Sequence, residues 1–90
     1  MLLDLKEAFD QFRSWVEAER IVRITKGDES WLSRAESWAI GRDSIFVNKK
    51  GELGTIVIGN FGEADFRRVD SGLDATWPTG ATICFREQNP

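Results

Sequence analysis

The sequence predicts an α+β domain: an N-terminal amphipathic helix packed on a mostly antiparallel sheet, or small barrel, of about five strands. Three observations carry this prediction. Apolar residues recur at helical spacing as far as Val16, the period changes at Ile21, and Gly, Asn, Asp and Pro punctuate the remainder. A chain of 90 residues suits a single domain spanning residues 1–90, one that buries roughly 60–65% of its unfolded surface.

The helix is expected over residues 4–19. On a wheel of about 100° per residue, Leu5, Ala8, Phe9, Phe12, Trp15 and Val16 fall within an arc of roughly 120°. Asp4 is a good N-cap, and Glu7 follows at capping-box spacing. Glu19 projects near the middle of the apolar face. Either the helix has ended by then, or the carboxylate reaches a partner such as Arg23.

Ile21 to Lys26 is β-branched and partly alternating, and Gly27-Asp28 stops it, which marks a strand. Residues 29–40 read two ways. As a second short helix, Trp31, Leu32, Ala35, Trp38 and Ala39 cover one face, with Asp28 capping the start and Gly41 the end. As strands, Trp38-Ala39-Ile40 pairs with Ser44 to Val47 across Gly41-Arg42-Asp43. The helix is preferred, because Ser, Arg, Ala and Glu between the tryptophans alternate poorly. Ser44 to Asn48 is a strand, Asn48-Lys49-Lys50-Gly51 a hairpin turn, and Leu53 to Phe61 the returning strand. Gly62-Glu63 turns into Ala64 to Val69. Residues 70–80 are expected to form the longest loop, broken by Gly72, Pro78 and Gly80, before a last strand over Ala81 to Arg86.

Composition closes several chemical routes. The chain has no histidine and no tyrosine, which removes the commonest general base and the commonest zinc ligand. A single cysteine, Cys84, forms no intrachain disulfide or thiolate metal site, and its alternation with Ile83 and Phe85 predicts an inert core thiol. The glycines at 51, 54, 59 and 62 match no phosphate-binding spacing. Neither cofactor nor metal is therefore expected. The formal charge of −3 is spread along the chain, an acidic balance that argues against a nucleic-acid partner. Met1-Leu2-Leu3-Asp4 shows no basic region and no long apolar run, so no signal peptide or membrane span is expected, and cytoplasm is the expected location.

The remaining signals are contact residues. Tryptophan is enriched at interface hot spots, and the chain has four. Trp15 belongs to the core by its helical position. Trp77, beside Pro78 in the expected loop, is the best surface anchor, and Trp31 or Trp38 is expected nearby. Arg67 and Arg68 are adjacent in a strand, so one of them should point toward the core or helix side, pairing with an acid such as Glu19 or Asp65 or lying along a partner surface. These residues favour a small non-enzymatic, intracellular protein-interaction module, such as a regulator, inhibitor or assembly subunit. Its partner is another protein or a second copy of itself. A helix followed by about five short strands is also the element order of Sm-like small barrels, an analogy of fold that carries no function. The alternative it suggests is single-stranded nucleic-acid binding through Lys49, Lys50, Arg67 and Arg68. A second alternative is a carboxylate-based hydrolase or lyase using Glu63, Asp65 or Asp70.

Overall fold

The computed structural model describes residues 2–48 and 55–88. One helix, α1 (Leu5–Glu17), packs against two sheets. The large sheet contains β1 (Leu2–Leu3), β2 (Ile21–Lys26), β3 (Glu29–Arg34), β7 (Asp65–Val69), β8 (Gly72–Thr76) and β9 (Thr82–Gln88), in the order β1-β7-β8-β9-β2-β3. The small sheet contains β4 (Ala39–Ile40), β5 (Ile45–Asn48) and β6 (Thr55–Ile58), in that order. Every strand pair is antiparallel. The α+β class holds, with nine strands among the described residues where about five were expected, arranged as two open sheets and not a closed barrel. No helix among the described residues is long and apolar enough to cross a membrane.

The helix forms where its caps and apolar stripe agree. The Asp4 side chain accepts from the Glu7 backbone N–H at 2.8 Å, and the Glu7 carboxylate accepts from the Asp4 N–H at 3.1 Å, which completes the capping box. At the other end, the Arg20 N–H donates to the Trp15 carbonyl and the Glu19 N–H to that of Val16. This is the Schellman arrangement, which needs a left-handed residue at Glu19, where φ is 54°. The helix has thus ended before the polar residue that interrupts its stripe.

Two segments differ from their sequence reading. Residues 29–40 are not a helix: β3 runs to Arg34, a 3₁₀ turn covers Ala35–Ser37, and β4 follows. The Gly27-Asp28 pair ends β2, as expected, and joins it to β3 in a tight hairpin, with Gly27 at φ 59°. Ser33 hides the strand pattern, because it is a polar side chain fully buried on the inner face. Its Oγ accepts from the Trp38 indole N–H at 2.7 Å and donates to Asn48 Oδ1 at 2.8 Å, a relay that ties β3 to the small sheet. Residues 70–80 also hold a strand, β8, instead of a long loop. Leu73 and Ala75 are buried, and Asp74 is neutralised by Arg86 at 2.7 Å. Gly72 is required there. Its missing side chain leaves the Phe85 carbonyl open, and the Arg86 guanidinium donates to that carbonyl at 3.0 Å and to the Leu73 carbonyl at 3.2 Å. A Cβ on Gly72 would collide with the Phe85 oxygen.

The core is an aromatic cluster centred on Phe12, which is fully buried. Its ring lies 5.1 Å from Phe85 of the large sheet, 5.6 Å from Phe61 after β6, and 6.3 Å from Trp38 beside β4. Aromatic pairs at such distances add about 0.5–1.5 kcal/mol each beyond area burial.

Two stability predictions follow from these contacts. Phe12→Ala should cost about 3–5 kcal/mol, a large share of the ~5–15 kcal/mol that holds a small domain folded; urea unfolding monitored by far-UV circular dichroism reads it. Glu19→Gly should stabilise by about 1 kcal/mol by relieving the left-handed strain, raising the melting temperature by roughly 4–8 °C.

Candidate functional site

The outer face of the large sheet, away from α1, is polar. Arg67, Asp74, Cys84, Thr25 and Ser30 form one cross-strand row, and Arg23 and Arg86 stand beside it. Most of these groups satisfy one another. Arg86 pairs with Asp74, Arg23 donates to Ser30 Oγ at 3.1 Å, and Thr25 Oγ1 lies 3.2 Å from the same hydroxyl. Cys84 is half-buried in the middle of the row, on the outer face and not in the core. Burial pushes its thiol up, the neighbouring Asp74 carboxylate pushes it further, and the Arg86 guanidinium partly opposes both. A thiol held neutral in this way is a poor nucleophile.

The candidate contact residues do not form one patch. Trp38 is buried, with its ring 6.2 Å from Trp15 and its N–H given to Ser33, so it is a core residue rather than a surface anchor. Arg67 and Arg68 leave β7 on opposite faces, at the edge beside β1. Arg67 lies on the outer face next to Asp74, and Arg68 turns to the helix side. The partner Arg68 finds there is Gln11 Oε1 at 3.1 Å, not an acid. Lys49 and Lys50, with the hairpin turn assigned to them, lie outside the described residues. The three carboxylates are dispersed: Glu63 belongs to the 3₁₀ turn Phe61–Glu63, Asp65 opens β7, and Asp70 sits in the β7–β8 turn. Among the described residues, no group of three or more Cys, Asp or Glu side chains could hold a metal ion.

Trp31 and Trp77 do come together. Trp77 is half-buried at the end of β8, where its backbone closes a tight turn to Ala81. Its indole N–H donates to the Asn60 carbonyl at 2.9 Å, and its ring stacks obliquely on Phe61 at 5.4 Å. Trp31 is half-buried on β3 and packs against the core from the other side. Between them runs a groove of about 200 Å³, lined also by Lys26, Ile83 and residues 56–59. Successive side chains of a strand point to opposite faces. A groove that touches Ile56, Val57, Ile58 and Gly59 in succession therefore runs along the edge of β6 and not across one face.

Lys26, Ile83 and the β6 residues escaped the sequence reading, since a lone lysine at a strand end and a short β-branched run are ordinary surface and core signals. The only usable sign was in β6 itself, whose Thr-Ile-Val-Ile has neither a charge nor a proline. The chain matches no family model, no curated protein and no solved structure.

The Cys84 environment makes its own prediction. Alkylation by iodoacetamide at pH 8 should be slower than for a small-molecule thiol. Asp74→Asn should speed it by roughly two- to fivefold, because the anion that disfavours the thiolate is gone while Arg86 remains. Pseudo-first-order kinetics followed by intact-mass spectrometry checks both.

Proposed function

We propose that this chain is a protein-interaction module, a small regulator, inhibitor or assembly subunit, and that it engages its partner through the groove between Trp31 and Trp77. The observation that carries this reading is the joining of two half-buried tryptophans, three consecutive residues of the edge strand β6 and the Gly59 that follows it around one apolar groove. Val57 in that groove is 61% exposed. A branched apolar side chain so open, set between aromatic walls, has the makeup of an interface core with tryptophan anchors.

The size of the groove favours a polypeptide over a small molecule. Pockets that enclose a drug-sized ligand or cofactor run to about 300–1,000 Å³. At about 200 Å³, this one accommodates a side chain or two of a larger partner. Glu63, Asp65 and Asp70 do not line it, so the carboxylate alternative draws nothing from its geometry. The nucleic-acid alternative draws no more, because Arg67 and Arg68 face opposite ways and neither lines the groove.

A photo-crosslinking residue at position 57, expressed in the native cell, should form a covalent adduct with another polypeptide. The same residue at position 2, which is also highly exposed but far from the groove, should not. Val57→Arg should abolish the association while changing stability by no more than about 0.5 kcal/mol. Adducts at position 2 and none at position 57 would move the contact surface elsewhere and end this assignment.

A further inference from the structure

Building on that reading, we infer that the groove takes an extended, acidic segment of another protein, which adds to β6 as a fourth strand of the small sheet and places a carboxylate on Lys26. The two sheets present four edges among the described residues, and three of them are blunted. β1 and β4 are two residues long, and β3 carries Glu29 and Arg34 at its ends. Short strands and charged side chains are the usual protections against pairing with a foreign strand. The edge of β6 has neither. Its four residues read Thr-Ile-Val-Ile, and it pairs only with β5 among the described residues. An edge left in this state is a template, and the groove whose walls are Trp31 and Trp77 runs along it, lined by residues 56–59.

Charge identifies the occupant. Among the described residues, Lys26 is the one charged residue that lines the groove. Glu29 stands opposite it across the β2–β3 ladder, yet no ion pair joins Lys26 to a described residue. A partner strand lying on β6 therefore meets hydrogen-bonding backbone on one side, apolar surface from Trp77 and Ile83 beneath, and a cation at the Lys26 end. An acidic residue alternating with β-branched or aromatic residues satisfies all three. A second copy of this chain, paired β6 to β6, supplies no carboxylate between Thr55 and Asn60 and leaves the Lys26 charge unmatched.

Selection of a phage-displayed library of random linear heptapeptides on the immobilised protein tests the inference. The expected winners are proline-free, carry Asp or Glu, and alternate with β-branched or aromatic residues. The most enriched heptapeptide, made synthetically, should bind roughly three- to tenfold more weakly to Lys26→Glu than to the parent chain. Methylation of alternate backbone nitrogens of that peptide should abolish binding, since strand addition depends on those donors. Lys26 is exposed, so its reversal should leave the far-UV spectrum and melting temperature unchanged, and that control separates lost binding from lost fold.

Winners without acidic residues, or binding indifferent to Lys26→Glu and to N-methylation, would overturn strand addition while position 57 still crosslinks a partner. Failure of the crosslink as well would take the proposed function with it. Sedimentation showing a dimer of the parent chain that Val57→Arg dissociates would also overturn the inference, by assigning the β6 edge to a second copy.

Discussion

The fold depends on one buried ring. Phe12 is where the helix, the large sheet and the segment following the small sheet meet, through Phe85, Phe61 and Trp38. A 90-residue chain has little core to distribute, and this one concentrates it in a chain of aromatic contacts running from Trp15 through Phe12 and Phe61 to Trp77. The position of Trp77, and with it one wall of the groove, is thus set by the same cluster that holds α1 in place.

Satisfaction of buried polar groups fixes the rest. The two sheets are joined by the relay from the Trp38 indole through Ser33 to Asn48, in which each buried donor has an acceptor. Arg86 does similar work across β8 and β9, serving the Asp74 carboxylate and two backbone carbonyls over the space that Gly72 leaves empty. An unpaired buried polar group costs about 1–3 kcal/mol, so both arrangements bear on the marginal stability of a small domain. They also explain why Ser33 and Gly72 look out of place in a strand pattern. Each is needed by a partner distant in sequence.

That is also the boundary of what could be read from the residues alone. The helix was legible because its signals are local: a capping box at its start, an apolar stripe and a disagreeing Glu19 that marks its end. The strands with simple alternation, β2, β5, β7 and β9, were legible for the same reason. β3 was missed because Ser33 answers to Trp38, and β8 because Asp74 answers to Arg86 and Gly72 to a guanidinium. Of the candidate contact residues, Trp31 and Trp77 share a groove only because the β2–β3 hairpin and the β8–β9 turn meet near β6, a fact of topology absent from any short window. Trp38 was indistinguishable from them by type, and only its buried acceptor sorts it into the core. Lys26 and the β6 edge acquire meaning only after the strand order is known.

The four tryptophans end as two populations: Trp15 and Trp38 are sealed in the core with their rings 6.2 Å apart, while Trp31 and Trp77 are half-buried around the groove. With no tyrosine in the chain, near-ultraviolet emission comes essentially from indole, and the molecule carries an optical partition of its own. The inner pair reports on the integrity of the fold, and the outer pair reports on whatever displaces water from the groove. Occupancy and unfolding therefore leave different spectral traces in a chain that needs no added label.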